Sequence, residues 1–291
     1  MKYYALSSAT IQGRVHAKMH LNCQDAVFAQ KVILEGDDGR LCWGFTGVVL
    51  DGCGSGHYSE VGAITLGNRL QQEFKRLLKK HAKTLLRFDP EAMEQFRGFL
   101  GDFVVERAKS FVDDALRCAG FDMPTASRGA VSNYIMHNLL ATTLFVVGFE
   151  DHVFIGSAGD GIVYAEWDNG VIEQEIVDQN NMPHYLAYHW FPDSWLNDKQ
   201  KSVITPPAVR WYRGPDRILL ATDGAERFID EGRVGELFEQ SGDAGLQRKL
   251  NAGHRFAPPN GRHRPEWETD DDAGILLLRL IEKETAEGNP R

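Results

Sequence analysis

The sequence has few cysteines, no basic run and no long apolar run, and each absence narrows what the protein can be. Its four cysteines, Cys23, Cys42, Cys53 and Cys118, show no CxxC spacing. That pattern argues against a zinc ribbon or a disulfide framework and reads as reduced thiols in a cytosolic protein. Acidic residues outnumber basic ones by 41 to 32, for a net charge of −9. An acidic chain without a Lys/Arg cluster is a poor match for nucleic acid. No stretch approaches the ~18 apolar residues of a membrane-spanning helix. The opening Met1-Lys2-Tyr3-Tyr4-Ala5-Leu6 lacks the apolar run of a signal peptide. The expectation is a cytoplasmic protein without a nucleic-acid or membrane partner.

What is present is enough apolar material for a large core, 43% of 291 residues, and the chain reads as a single domain over 1–291. Its most informative stretch is Gly47-Val48-Val49-Leu50-Asp51-Gly52-Cys53-Gly54-Ser55-Gly56-His57. An apolar strand ends in one carboxylate, and glycines follow at once, which lets backbone approach a ligand closely. Asp-Gly after a strand is by itself only a turn signal. Asp25, Asp223 and Asp271 lie in similar settings, however, and carboxylates gathered from distant strand ends are what a hard divalent cation requires.

The order of elements reads as strands, then helices, then strands. Val27 to Ile33 and Leu41 to Leu50 read as strands joined by a Gly/Asp turn. A helix begins near Ser59, with Ala63, Leu66, Leu70, Phe74 and Leu77 at helical spacing. Asp89-Pro90 reads as a cap and first position of a second helix carrying Met93, Phe96, Leu100, Phe103 and Phe111. Asp122 to Asn133 reads as a loop. Thr142 to Phe149, His152 to Ala158, Gly161 to Trp167 and Val171 to Val177 read as strands whose connections are short enough to require antiparallel neighbours. Asn169-Gly170 marks a hairpin. Residues 178–208 read as an irregular lid or surface loop. A strand over Arg217 to Ala221 leads into Thr222-Asp223-Gly224. Short helical pieces follow over Val234 to Leu250, then a final strand over Gly274 to Ile281 and a frayed tail over 282–291.

The glycine-rich turn is neither a dinucleotide fingerprint nor a phosphate-binding GxxxxGK[ST] loop, because the third glycine and the lysine are missing. An antiparallel meander downstream also contradicts a parallel nucleotide-binding sheet.

The blocks resemble those of the metal-dependent protein phosphatases, the type 2C family, closest to its bacterial branch. Asn22-Cys23-Gln24-Asp25-Ala26, Asp51-Gly52-Cys53-Gly54-Ser55-Gly56-His57, Gly159-Asp160-Gly161, Ala221-Thr222-Asp223-Gly224 and Asp271-Asp272-Ala273-Gly274 occur in the family's order, with Ala141-Thr142-Thr143-Leu144 as the strand before the third. The resemblance implies an α+β fold: a four-layer α-β-β-α sandwich of two antiparallel sheets flanked by helix pairs. It implies two Mn²⁺ or Mg²⁺ ions, with Asp51 bridging them, the Gly52 carbonyl on one, Asp223 and Asp271 on the other, and Asp25 binding directly or through water. It further implies a signalling hydrolase that dephosphorylates phosphoserine or phosphothreonine proteins by attack of metal-bound hydroxide, opposite a cognate kinase.

Some positions depart from the family pattern. Gln24 stands where an acid is usual, and His20 falls where the resemblance expects a phosphate-gripping arginine; of the nearby cations Arg14 and Lys18, Arg14 is favoured because a guanidinium can hold phosphate in two places. Cys53 replaces a histidine, His57 is either a general acid or structural, and Asp160 is either catalytic or a turn cap. Gln24 and the displaced arginine leave a second reading open: a pseudophosphatase or regulatory binding module that keeps the fold without turnover.

Overall fold

The computed structural model describes residues 2–170, 172–177, 183–198, 201, 204–230, 232–240, 242–255 and 269–282. Among the described residues, ten strands form two five-stranded sheets. One has the order β1 (Lys2–Ile11), β10 (Ala273–Glu282), β9 (Arg217–Ala221), β6 (Gly161–Glu166), β7 (Ile172–Val177). The other has the order β2 (Ala26–Glu35), β3 (Leu41–Gly52), β4 (Ala141–Phe149), β5 (His152–Ala158), β8 (Ala208–Arg213). Every pairing is antiparallel.

The side-chain period of two sorts the layers. Val49 points into a cluster between the sheets with Tyr4, Phe45, Leu144, Val146, Ile218, Leu220, Leu276 and Leu278. Its neighbours Val48 and Leu50 point the other way, into a second cluster under α2 (Ser59–Leu85) and α3 (Pro90–Cys118). A third cluster covers the far face of the β1 sheet with α5 (Glu226–Asp230), α6 (Val234–Phe238) and α7 (Gly242–Arg255). This is the four-layer α-β-β-α sandwich.

The gap between the sheets has no spare room. A Cβ on Gly47 would fall 2.3 Å from Leu276 Cδ2, and Leu276 is fully buried. Gly47→Ala is expected to lower stability by about 1–3 kcal/mol through overpacking; urea unfolding checks this, and an unchanged midpoint would refute it.

Several elements differ from the sequence reading. Asp122 to Asn133 is not all loop: Ser127 Oγ accepts from Ala130 N at 3.2 Å and caps α4 (Arg128–Asn138). That helix buries only Val131 and Ile135, too narrow a stripe to stand out in a segment of Gly, Ser and Asn. The Gly159-Asp160 turn does not join antiparallel neighbours. It carries the chain from β5 in one sheet to β6 in the other, with Gly159 at φ +95° and Gly161 at φ +153°. Asn169-Gly170 does close the β6–β7 hairpin, with Gly170 at φ +78°. Three elements went unread: β1, α1 (Arg14–Met19) and β8. Within 178–208, residues 183–198 pack through Leu186, Ala187, Tyr188 and Phe191 into the cluster that also holds α3. The tail expected beyond Glu282 falls outside the described residues.

Candidate active site

The antiparallel register builds the site from four strand ends. Ala26 faces Leu50 across the β2–β3 pair, so Asp25, one residue before β2, lies beside Asp51 near the end of β3. In the other sheet Ala221 faces Ile275, so Asp223 and Asp271 flank the neighbouring ends of β9 and β10. Thr222 joins the two halves. Its hydroxyl donates to Asp25 Oδ2 at 2.7 Å and accepts from the Gly274 amide at 2.9 Å.

Three of the four carboxylates are raised in proton affinity. Burial is the main cause at Asp25, whose carboxyl is pushed up to about 8. Burial followed by the charges of Asp25 and Asp223 holds Asp51 well above the carboxylate range, and Asp25 and Asp51 share a hydrogen bond. Asp223 is raised by burial and then by Asp271. Among the described residues, no three His, Cys, Asp or Glu side chains are drawn together as a finished metal site. The donor set nevertheless fits hard cations: all side-chain oxygens, negatively charged, with no counter-cation of comparable burial among their causes of shift. Such a cluster opens against its own charge until a dication offsets it.

The sign of the resulting pH dependence follows. An unfolded aspartate titrates near 3.9, whereas folded Asp25 keeps its proton to about 8. Between those values the unfolded chain releases a proton that the folded chain retains, so metal-free stability falls as pH rises through that window. Melting temperatures in EDTA should decline from pH 5 to 8 more steeply for the parent than for Asp25→Asn. Equal slopes would show that Asp25 titrates normally.

A second carboxylate, Asp272, does structural work beside the cluster. It is 3% exposed and accepts from Gly13 N at 2.7 Å and Gln24 N at 2.6 Å. His16 Nδ1 approaches it to 2.9 Å without hydrogen-bond geometry. Gln24 in turn accepts the Gly52 amide at 3.2 Å, so Asp272 holds the loops of both sheets in register. Asp271, by contrast, is largely open, its side chain 65% exposed. Arg14 sits against this turn. Its amide donates to Thr269 O at 3.0 Å, and its guanidinium pairs with Asp270 at 2.6 Å.

The sequence profile of "Protein phosphatase 2C" matches residues 12–253 of this chain. The chain belongs to the protein phosphatase 2C family. It is accordingly a metal-dependent serine/threonine phosphoprotein phosphatase by family. No curated protein sequence matches it. Solved structures share its fold at low identity. The catalytic domain of the serine/threonine phosphatase PstP, in complex with two manganese ions, superposes with a TM-score of 0.56 at 11% identity, covering 97% of this chain and 100% of that one. Mycobacterium tuberculosis PstP/Ppp gives 0.53 at 13% identity, over 97% and 99%. Staphylococcus aureus Stp1 gives 0.52 at 16% identity, over 97% and 96%. The profile stops short of Asp271, which enters the site through the pairing of β10 with β9.

The positions that depart from the family pattern are placed as follows. Gln24 is buried and binds through its backbone. Cys53 Sγ lies 3.1 Å from Ser55 Oγ and bonds Tyr185, whose hydroxyl is raised by burial and then by that contact. Tyr185 thereby brings the 183–198 segment to the edge of the Asp51 loop. His57 stacks on His137, ring centroids 4.9 Å apart, and the Tyr58 amide donates to His137 O at 3.1 Å. All four cysteines are free, and no described helix is long and apolar enough to cross a membrane. Sequence reasoning missed Thr222 as an anchor and His16 as the neighbour of Asp272. Thr222 carried a local signal, standing beside a candidate ligand at a strand end. His16 carried none.

Proposed function

We propose that Asp25, Asp51, Gly52, Asp223 and Asp271 hold two divalent cations, Mn²⁺ or Mg²⁺, and that Asp51, Asp223 and Asp271 are the residues on which hydrolysis of phosphoserine and phosphothreonine proteins depends. The observation that carries this reading is the convergence of four carboxylates from both sheets, three of which, Asp25, Asp51 and Asp223, are raised in proton affinity where the energetic relief would come from dications. When bound, such ions activate water and clamp the attacking and leaving oxygens of an in-line displacement. The chain's own residues do the rest. Thr222 fixes the Asp25 oxygen, Asp272 fixes the loops that carry Asp25, Asp51 and Asp271, and the register of β2–β3 and β9–β10 sets the spacing. Arg14 stands at the Asp270–Asp271 turn, where exchange of its exposed Asp270 partner for a phosphoryl group would orient the substrate.

A cognate kinase, a signalling role and a cytoplasmic setting belong to this reading as well. The alternative of a fold without turnover is not favoured, since Asp25, Asp51, Asp223 and Asp271 are all present. The test is hydrolysis of a phosphothreonine peptide by the purified protein. Turnover with Mn²⁺ that is abolished by EDTA is expected, with Arg14→Ala raising KM more than it lowers kcat. Equal rates in metal-free buffer would overturn the assignment.

A further inference from the structure

We propose that an apolar patch beside the acidic cleft is a docking surface for apolar residues flanking the phosphorylated residue of a protein substrate. The patch comprises Val15, Met19 and Leu21 on and after α1, with Tyr58, Val61 and Ile64 at the start of α2. The inference rests on the phosphatase reading above and extends it to the class of substrate.

Among the described residues, six of the twelve exposed large hydrophobic side chains lie in these two short segments. Their exposures run from 38% at Leu21 to 62% at Met19. Scattered apolar side chains need no explanation, but a contiguous group marks an interaction site. Helix α1 also buries no residue at all, so the core does not account for its apolar side chains.

A side-chain hydrogen bond joins the two segments. Asn22 Nδ2 donates to Glu60 Oε1 at 3.0 Å, tying the loop after α1 to the first turn of α2. The Gln12 amide also holds the Leu21 carbonyl. At about 100° per residue, Glu60, Ile64 and Val61 follow one another around the helix. The tie at Glu60 places the loop that follows Met19 and Leu21 beside the first turn of α2, next to the exposed Val61 and Ile64.

Continuity with the cleft selects the occupant. Helix α1 begins at Arg14, bonded to the Thr269–Asp270 turn that precedes Asp271. Helix α2 begins at Ser59, directly after the glycine-rich loop that follows Asp51. An extended chain advances about 3.3 Å per residue. With its phosphorylated residue at Asp51, residues a few positions away would cross this patch. Glu60, the acid between Tyr58 and Val61, is already bonded to Asn22.

The experiment compares two phosphothreonine peptides, one with Leu and Ile flanking the phosphoresidue and one with Ser and Gly. The parent is set against a Met19→Ser/Val61→Ser/Ile64→Ser variant. All three positions are exposed and lie outside the proposed metal and phosphate machinery. The parent is expected to favour the apolar peptide roughly tenfold in kcat/KM, mainly through KM, the scale of burying one such side chain. The variant should lose that preference and hydrolyse p-nitrophenyl phosphate at the parent rate. A parent indifferent to the flanks, or a variant that keeps the preference, would overturn the proposal. So would sedimentation showing that the patch is closed by a second copy of the chain. Peptide binding measured separately distinguishes the two readings. A parent that binds the apolar peptide tenfold more tightly yet hydrolyses no phosphoester supports the docking surface and refutes the catalytic assignment.

Discussion

Asp51→Asn is expected to reduce phosphopeptide turnover by roughly 10³-fold or more while leaving the metal-free protein folded and more stable than the parent. The first effect follows from removing a buried charge from the proposed metal site, since the stabilisation such ions would give the transition state is worth several kcal/mol at about 1.4 kcal/mol per decade. The second follows from the cluster itself. Asp51 is held above the carboxylate range by burial and by the charges of Asp25, Asp223 and Asp271, so a neutral amide relieves repulsion. Mn²⁺ at a hundredfold excess over its Kd stabilises a one-site protein by ~2.7 kcal/mol. Thermal melting with and without Mn²⁺ should show that shift in the parent and a blunted one in the variant. Ca²⁺, which favours more ligands and longer distances, should give a smaller shift than Mn²⁺. A variant as active as the parent would end the two-metal assignment.

The adjacent pair Asp271 and Asp272 should divide into an activity phenotype and a stability phenotype. Successive residues of an extended segment face opposite ways. Asp271 is open to the cleft side and raises the proton affinity of Asp223, whereas Asp272 is buried under the amides of Gly13 and Gln24. Asp272→Ala leaves two buried N–H groups without an acceptor, at about 1–3 kcal/mol each, so a loss of roughly 2–5 kcal/mol is expected. Asp271→Ala removes a mostly solvated group and should leave unfolding nearly unchanged while kcat falls by orders of magnitude. Urea unfolding and steady-state kinetics on the two variants decide the matter. The reverse assignment, with Asp272→Ala stable and inactive, would place the register one residue off.

Much of this arrangement was legible in the sequence because it is local. Apolar runs that end in Asp-Gly, helical stripes of three- and four-residue spacing and the Asn169-Gly170 turn each express their structure within a few residues. The elements that escaped were those whose apolar signal is weak or one-sided. Helix α1 buries nothing, α4 buries two side chains, and β1 is recognised by its pairing with β10 at the far end of the chain. The reading of Gly159-Asp160 failed for a related reason. A two-residue connection is a hairpin only if its strands share a sheet, and the positive φ values at Gly159 and Gly161 turn the chain from one sheet to the other.

The sequence by itself determined which residue types could serve: oxygen ligands at strand ends, glycines beside them, and no thiol or imidazole set to compete. Only the tertiary structure decided how they combine. The antiparallel register sets Asp25 against Asp51 and β9 against β10, and the Thr222–Asp25 hydrogen bond joins the sheets. Asp272, rather than Asp271, became the buried anchor because the amides it satisfies come from residues more than 240 positions away. Strand pairing and burial are long-range, so a carboxylate's surroundings, and hence its chemistry, are fixed by neighbours that its own stretch of sequence does not contain.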